Sequence, residues 1–138
     1  MPARDIYHDN VKAALVKDGW TITNDPLKLS FGRKNIYVDL GAERLIAAAK
    51  GEQKIAVEIK SFIGKSEIED IENALGKYVL YLNILPEIEP ERKLYLAITH
   101  ETFKGIFQEP FGEFIKNKLG LNMIIFDEIK EVIVKWIP

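Results

Sequence analysis

The segment Ile55-Ala56-Val57-Glu58-Ile59-Lys60 constrains this chain more than any other, because a carboxylate and an ammonium interrupt an otherwise apolar strand. Period-2 geometry sends Ile55, Val57 and Ile59 to one face and Ala56, Glu58 and Lys60 to the other. A second segment, Ile36-Tyr37-Val38-Asp39-Leu40, has the same character: Ile36, Val38 and Leu40 share one face, Tyr37 and Asp39 the opposite one. If the two strands pair, Asp39, Glu58 and Lys60 converge at one end of a sheet whose other face is core. Two close carboxylates repel unless a divalent cation lies between them, and an ammonium beside them can steer a water. That arrangement suits hydrolysis of a phosphodiester.

Spacing alone does not single out Glu58. Glu-x-Lys occurs four times, beginning at Glu52, Glu58, Glu91 and Glu128. Glu52 and Glu91 fall in polar connections and Glu128 in a charged turn, whereas Glu58 lies inside an apolar strand. Burying a carboxylate without compensation is costly, so its presence there asks for a reason. The plainer alternative is an edge strand with Glu58 and Lys60 in solvent, or a structural ion pair with Asp39 nearby by accident.

A length of 138 residues fits a single domain, spanning 1–138, that buries roughly two-thirds of its unfolded surface. Apolar residues make up 47%, which suits a globular core, and no apolar run approaches the roughly 18 residues of a membrane span. The polar start at Met1-Pro2-Ala3-Arg4-Asp5 has no signal-peptide character. The absence of cysteine excludes disulfides, thiolate nucleophiles and the usual structural zinc sites. Together these features point to a cytoplasmic location and no membrane partner. With 19 basic against 21 acidic residues there is no strong electrostatic footprint for nucleic acid. Lys28, Arg33, Lys34, Lys60 and Lys65 are scattered candidates for phosphate contact.

Read coarsely, residues 5–18 form a helix with Tyr7, Val11, Ala14 and Leu15 on one stripe and Gly19 as its C-terminal cap. Residues 20–23 read as a strand stopped by Asn24-Asp25-Pro26, and 27–31 as a short extended piece. The segment 45–49 fits either a strand or a helical turn. Gly51-Glu52 reads as a hairpin connection into the strand bearing Glu58. Ser66 with Glu69 makes a capping box opening a helix over 66–82. Ile68, Ile71, Leu75, Tyr78, Val79 and Leu82 are expected to face the sheet, with Pro86 and Pro90 ending the unit. Residues 93–99 form a buried strand. Pro110, Phe111, Phe114, Ile115 and Gly120 outline a short helix, and 123–126 and 132–137 two further strands joined by 127–131. Strands interleaved with helices predict an α/β layered domain.

The order of helix, strands carrying Asp39 and then Glu58-Ile59-Lys60, helix and strand resembles the core of the PD-(D/E)XK nuclease superfamily. The chain also resembles the XisH family, cyanobacterial factors controlling excision of the fdxN element during heterocyst differentiation. That likeness is carried by Asp5-Ile6-Tyr7-His8-Asp9, Asp18-Gly19-Trp20-Thr21-Ile22-Thr23, Tyr37-Val38-Asp39-Leu40-Gly41-Ala42-Glu43, Ala56-Val57-Glu58-Ile59-Lys60-Ser61-Phe62, Tyr95-Leu96-Ala97-Ile98 and Lys135-Trp136-Ile137-Pro138. It implies a restriction-endonuclease-like mixed central β-sheet flanked by helices. It implies too that Asp39 and Glu58 bind Mg²⁺ (or Mn²⁺) and that Lys60 orients or helps deprotonate the attacking water. Two carboxylates, a main-chain carbonyl, a substrate phosphate and waters make up the oxygen set such an ion takes. Val38 stands where the superfamily name implies proline, and Lys77 where related nucleases often carry glutamine. A lysine donates to phosphate but does not accept a hydrogen bond as glutamine does.

Accessory candidates are Asp9, as an upstream helical acid, and Glu43, if the chain bends back beyond Asp39. His8 on the first helix reads as a group supporting a metal ligand or, more simply, as an ordinary surface or packing residue. No Ser-His-Asp order assembles around His100, and no phosphate-cradling Gly-x-x-x-x-Gly-Lys-Ser motif occurs. Three functions fit: a metal-dependent DNA nuclease, a nuclease-like excision factor acting through DNA, a recombinase or an XisI-type protein, and a homodimerisation module.

Overall fold

The structure is a computed structural model describing residues 6–35, 45–64 and 66–138. Their helices and strands, in chain order, are α1 (His8–Lys17), β1 (Thr21–Asn24), β2 (Ser30–Phe31), β3 (Lys34–Asn35), β4 (Leu45–Lys50), β5 (Gln53–Ile59), α2 (Glu67–Ile88), β6 (Arg92–Thr99), α3 (His100–Lys104), α4 (Pro110–Leu119), β7 (Met123–Asp127) and β8 (Val132–Ile137). A six-stranded mixed sheet, in the order β1-β4-β5-β6-β7-β8, has helices on both faces, while β2 and β3 form a separate hairpin. This is the helix-flanked mixed sheet expected from the sequence.

Composition explains which strands sit in the middle. The runs Ile55-Ala56-Val57, Leu94-Tyr95-Leu96-Ala97-Ile98 and Met123-Ile124-Ile125-Phe126 are apolar on both faces and buried on both. Such runs belong to strands covered from two sides. β5, β6 and β7 accordingly run parallel at the centre, while β1 and β4 on one flank and β8 on the other pair antiparallel.

The segment 45–50 resolves as a strand, and Gly51-Glu52 joins it to β5 in a hairpin from Lys50↔Gln53 to Leu45↔Glu58. Gly51 has φ 60°, a left-handed turn conformation that glycine adopts without a Cβ penalty. The other edge of β5 is taken by β6 over Lys54–Ile59. The hairpin therefore joins β5 to β4, not to the strand read over 36–40, and that strand lies outside the described residues.

Alternation along β5 builds the two cores. Ile55, Val57 and Ile59 pack with Val11 and Leu15 of α1 and with Trp20, while Ala56 packs on the other face with Ile71, Ala74 and Tyr78 of α2. Burial of each large side chain is worth roughly 1.5–3 kcal/mol of transfer free energy. The alanines Ala47 and Ala56 leave room for the tyrosines of α2 above them.

α2 differs from expectation at both its end and its face. Ser66 accepts from Glu69 N–H at 3.3 Å, as the capping signature requires. The helix, however, runs 22 residues with Pro86 inside its last turns. Proline there removes its own donor and crowds the carbonyl of Leu82, but its fixed φ is already helical and only two residues follow before the helix ends at Ile88. The buried stripe is Asp70, Ile71, Ala74, Tyr78, Tyr81 and Leu85, whereas Ile68, Val79 and Leu82 are exposed. Ile71 and Tyr78 are buried as expected and Leu75 packs partly buried on the core, so the expected stripe is offset: a helix apolar on more than one side reveals its period better than its phase. α4 begins at Pro110 and closes on Gly120 as read, but Phe111 and Phe114 are exposed rather than core. Among the described residues, no helix is long and apolar enough to cross a membrane.

Candidate functional site

Glu58 occupies the carboxyl end of β5, on the face covered by α2, opposite Leu96 of β6 in register. The residue is 0% exposed, which rules out the edge-strand reading. The strand positions beside it, Ala56 in β5 and Leu94 and Leu96 in β6, are buried and apolar, so a carboxylate there is costly unless a partner compensates it.

Lys60 follows the strand. Its N–H donates to Ala97 O at 3.1 Å, continuing the register with β6 for one more residue. The Lys60 side chain is 14% exposed, and Nζ lies 3.9 Å from Asp70 Oδ1. Asp70 belongs to the first turn of α2 and also accepts from Gly64 N–H at 2.9 Å. One buried carboxylate thus ties Lys60, the connection after β5 and the start of α2 together. A Cβ at Gly64 would stand 2.5 Å from Asp70 Oδ1, so the close approach depends on glycine.

Asp70 was missed by sequence reasoning. Glu67, Glu69 and Asp70 together look like an acidic first turn complementing the helix dipole, and nothing marks one of them as turned inward. The available signal was the helical stripe, which places Asp70 in line with Ala74 and Tyr81 once the phase is known. Lys77, two turns beyond Asp70 and partly buried, lies on this same helix over the Glu58 face.

The remaining candidates are placed differently. Asp39 and Glu43 lie outside the described residues. Asp9 is exposed on α1, which packs on the opposite face of the sheet from Glu58. His8 is buried on α1, and its Nε2 meets Asp25 Oδ1 at 2.8 Å, while Lys12 Nζ donates to Asp25 Oδ2 at 2.7 Å. Burial opposes ionisation of Asp25, but the hydrogen bonds from Lys12 and His8 outweigh it and hold the carboxyl below its usual range. His8 therefore anchors α1 to the turn after β1.

Among the described residues, no three His, Cys, Asp or Glu side chains gather as a metal cluster. The Glu58 carboxylate is a hard-oxygen donor of the kind Mg²⁺ takes, whereas the Lys60 ammonium on the same face is not a metal ligand.

The XisH protein family model matches residues 1–134. The crystal structure of an fdxN element excision controlling factor protein from Anabaena variabilis is 43% identical, with a TM-score of 0.89, covering 98% of this chain and all (100%) of that one. An XisH family protein from Nostoc punctiforme is likewise 43% identical with a TM-score of 0.89, covering 97% of this chain and 100% of that one. No curated protein matches the chain.

Proposed function

The chain belongs to the XisH family, and on that premise we propose that it is an excision-controlling factor of programmed DNA rearrangement whose nuclease-like site hydrolyses DNA phosphodiester bonds. The observation that carries this proposal is the full burial of Glu58 on the face of the sheet that Lys60 also uses. Asp39 and Glu58 would hold the divalent ion, which would neutralise phosphate charge and acidify a water bound to it. Glu58 is pre-oriented because β4 and β6 fix its strand on both sides. Lys60, held near Asp70, keeps an ammonium at the carboxyl end of β5 to orient the attacking water or contact the scissile phosphate.

The test is cleavage of single-stranded, branched and supercoiled DNA in Mg²⁺ or Mn²⁺, with chelator and Glu58→Gln as controls. Cutting that needs both the metal and Glu58 supports the proposal. Failure to cut every substrate, alone or with partner proteins, refutes the catalytic half.

One observation favours a second reading, a non-catalytic nuclease-like scaffold working through a recombinase or an XisI-type protein. Lys60 already faces a carboxylate, Asp70, as a structural lysine does. In that case Lys60→Ala leaves partner binding unchanged and no metal-dependent cutting occurs. Under either reading, the net charge of −2 predicts modest affinity for plain duplex that collapses with salt, because few phosphates are neutralised at once.

A further inference from the structure

A cleft opens at the other end of the sheet. It has a volume of about 680 Å³ and is lined by Trp20, Tyr95 and Trp136 together with Lys50, Lys54 and Lys93. β5 enters it at Lys54 and reaches Glu58 four residues later, about 13 Å away at the usual rise of a strand. The aromatic wall belongs to the α1 face, whereas Glu58 belongs to the α2 face. The cleft is therefore separate from the candidate nuclease site.

Its aromatic wall is rigid. Trp136 lies 5.6 Å from Trp20 and 5.0 Å from Tyr95 between ring centroids, with interplanar angles of 35° and 85°. Trp20 and Tyr95 are only 6% and 7% exposed, and both polar ends are satisfied. Trp20 Nε1 donates to Asp18 Oδ2 at 3.2 Å, and Tyr95 OH donates to Pro138 O at 2.9 Å. Trp136 keeps part of its surface open.

The charges around this wall are not balanced. Lys54 pairs with Glu91 at 3.7 Å, and the Asp18 carboxylate takes the Trp20 N–H. Lys50 Nζ donates to a main-chain carbonyl, Asp18 O, at 2.7 Å, and Lys93 Nζ lies 5.4 Å over the Tyr95 ring. Neither contact neutralises the ammonium, and the indole N–H leaves Asp18 charged. The three lysines of the lining thus face Asp18 and Glu91 with one positive charge in excess beside a partly open tryptophan. A cationic guest is repelled there. A guest with a flat ring and an anionic group satisfies both features, since bases stack on aromatic side chains while lysines take the phosphate.

We propose that this cleft binds a nucleotide unit, its base against Trp136 and its phosphate on Lys50 and Lys93. That unit is either a free nucleotide or the end of a single strand. The proposal does not depend on catalysis at Glu58.

Both tryptophans of the chain line the cleft, so intrinsic fluorescence reports on it directly. The full chain is titrated with a deoxynucleoside 5′-monophosphate, the matching nucleoside, orthophosphate and a 5′-phosphorylated tetranucleotide. Saturable quenching by the monophosphate is expected, with the nucleoside and orthophosphate each weaker by about tenfold or more, because each lacks one half of the contact. Lys93→Glu, at an exposed position, should weaken binding about tenfold, and Lys50→Gln should also weaken it, while Glu58→Gln leaves it unchanged. Equal affinity for monophosphate and tetranucleotide identifies a free nucleotide as the guest, and tighter tetranucleotide binding identifies a strand end. No saturable quenching at millimolar nucleotide overturns the proposal, as does quenching that survives both lysine substitutions in folded protein. DNA cutting by the Lys93→Glu variant tests the Glu58 site independently.

Discussion

The two ends of β5 handle charge in opposite ways. At the amino end, Lys54 and its neighbours Lys50 and Lys93 ring a buried aromatic wall while their ammonium groups stay in reach of water. At the carboxyl end, Glu58 is wholly inside and Lys60 nearly so. One strand produces both because Gln53 and Lys54 at its start are exposed, whereas Glu58, on the same side as Lys54, lies where β4, β6 and α2 cover the strand. Rim lysines cost little and are screened by salt, whereas a carboxylate taken out of water must be compensated or protonated. The comparison teaches that the buried charge, not the more visible cleft, needs a functional account. Perturbed or expensive charges are where sites cluster.

The largest expected effect breaks the carboxyl end alone. Glu58→Gln and Asp39→Asn should each abolish Mn²⁺ binding measured by calorimetry and reduce cutting by about 10³-fold or more, given the several kcal/mol a bound metal supplies to the transition state. Both variants should melt as folded proteins, since glutamine and asparagine keep the shape of the acids they replace. Unchanged Mn²⁺ affinity in both would remove the metal site.

Next in size is Lys60→Ala. A lysine that orients water acts mainly in the transition state, so turnover should fall by about 10²-fold, the low end for general acid–base groups. DNA affinity measured in the presence of Ca²⁺ should change far less. A matching loss in both would make Lys60 a phosphate anchor instead.

Much of this asymmetry was legible in the chain. Alternation in 55–60 gave both faces of β5 correctly, because period-2 geometry has no phase ambiguity once one face is continuously apolar. The Ser66 cap and the Pro110 start were equally readable, being local chemistry. What escaped was long-range: the partner of β5, the phase of α2, and with it Asp70. Ala-rich 45–50 has no strong strand propensity and becomes a strand because β1 and β5 flank it. The cleft also went unread, since Trp20, Tyr95 and Trp136 are far apart in sequence and meet only through the sheet order.

A smaller effect probes how the carboxyl end is held. Gly64→Ala forces a Cβ against the Asp70 carboxylate and displaces the connection after β5, costing about 1–3 kcal/mol for overpacking plus a strained buried hydrogen bond. Asp70→Asn keeps an acceptor for Gly64 N–H but drops the charge facing Lys60, and because both side chains are nearly buried its cost should match or exceed that of Gly64→Ala. Urea denaturation ranks the two. A cost for Asp70→Asn well below that of Gly64→Ala would mean that Asp70 acts through the turn it ties down and not through its charge.

The smallest effect belongs to the α1 side, where Asp25 binds His8 and Lys12. Burial raises the Asp25 pKa, yet the hydrogen bonds and positive charges of Lys12 and His8 bring the net value below the ordinary 3.8. A carboxyl whose folded pKa is depressed binds fewer protons folded than unfolded around that range, so stability rises with pH there. The contribution is complete above the unfolded value near 3.8 and disappears as pH falls through the lower folded value. The stability difference between the parent protein and Asp25→Asn should therefore be flat above about pH 5 and shrink as the solution is acidified below about pH 4. Its total should be small, because burial offsets much of what the Lys12 and His8 bonds contribute. Urea titrations of both proteins from acid to mild pH measure the difference directly. Growth of that difference on acidification would mean that burial, not the Lys12 and His8 bonds, governs Asp25.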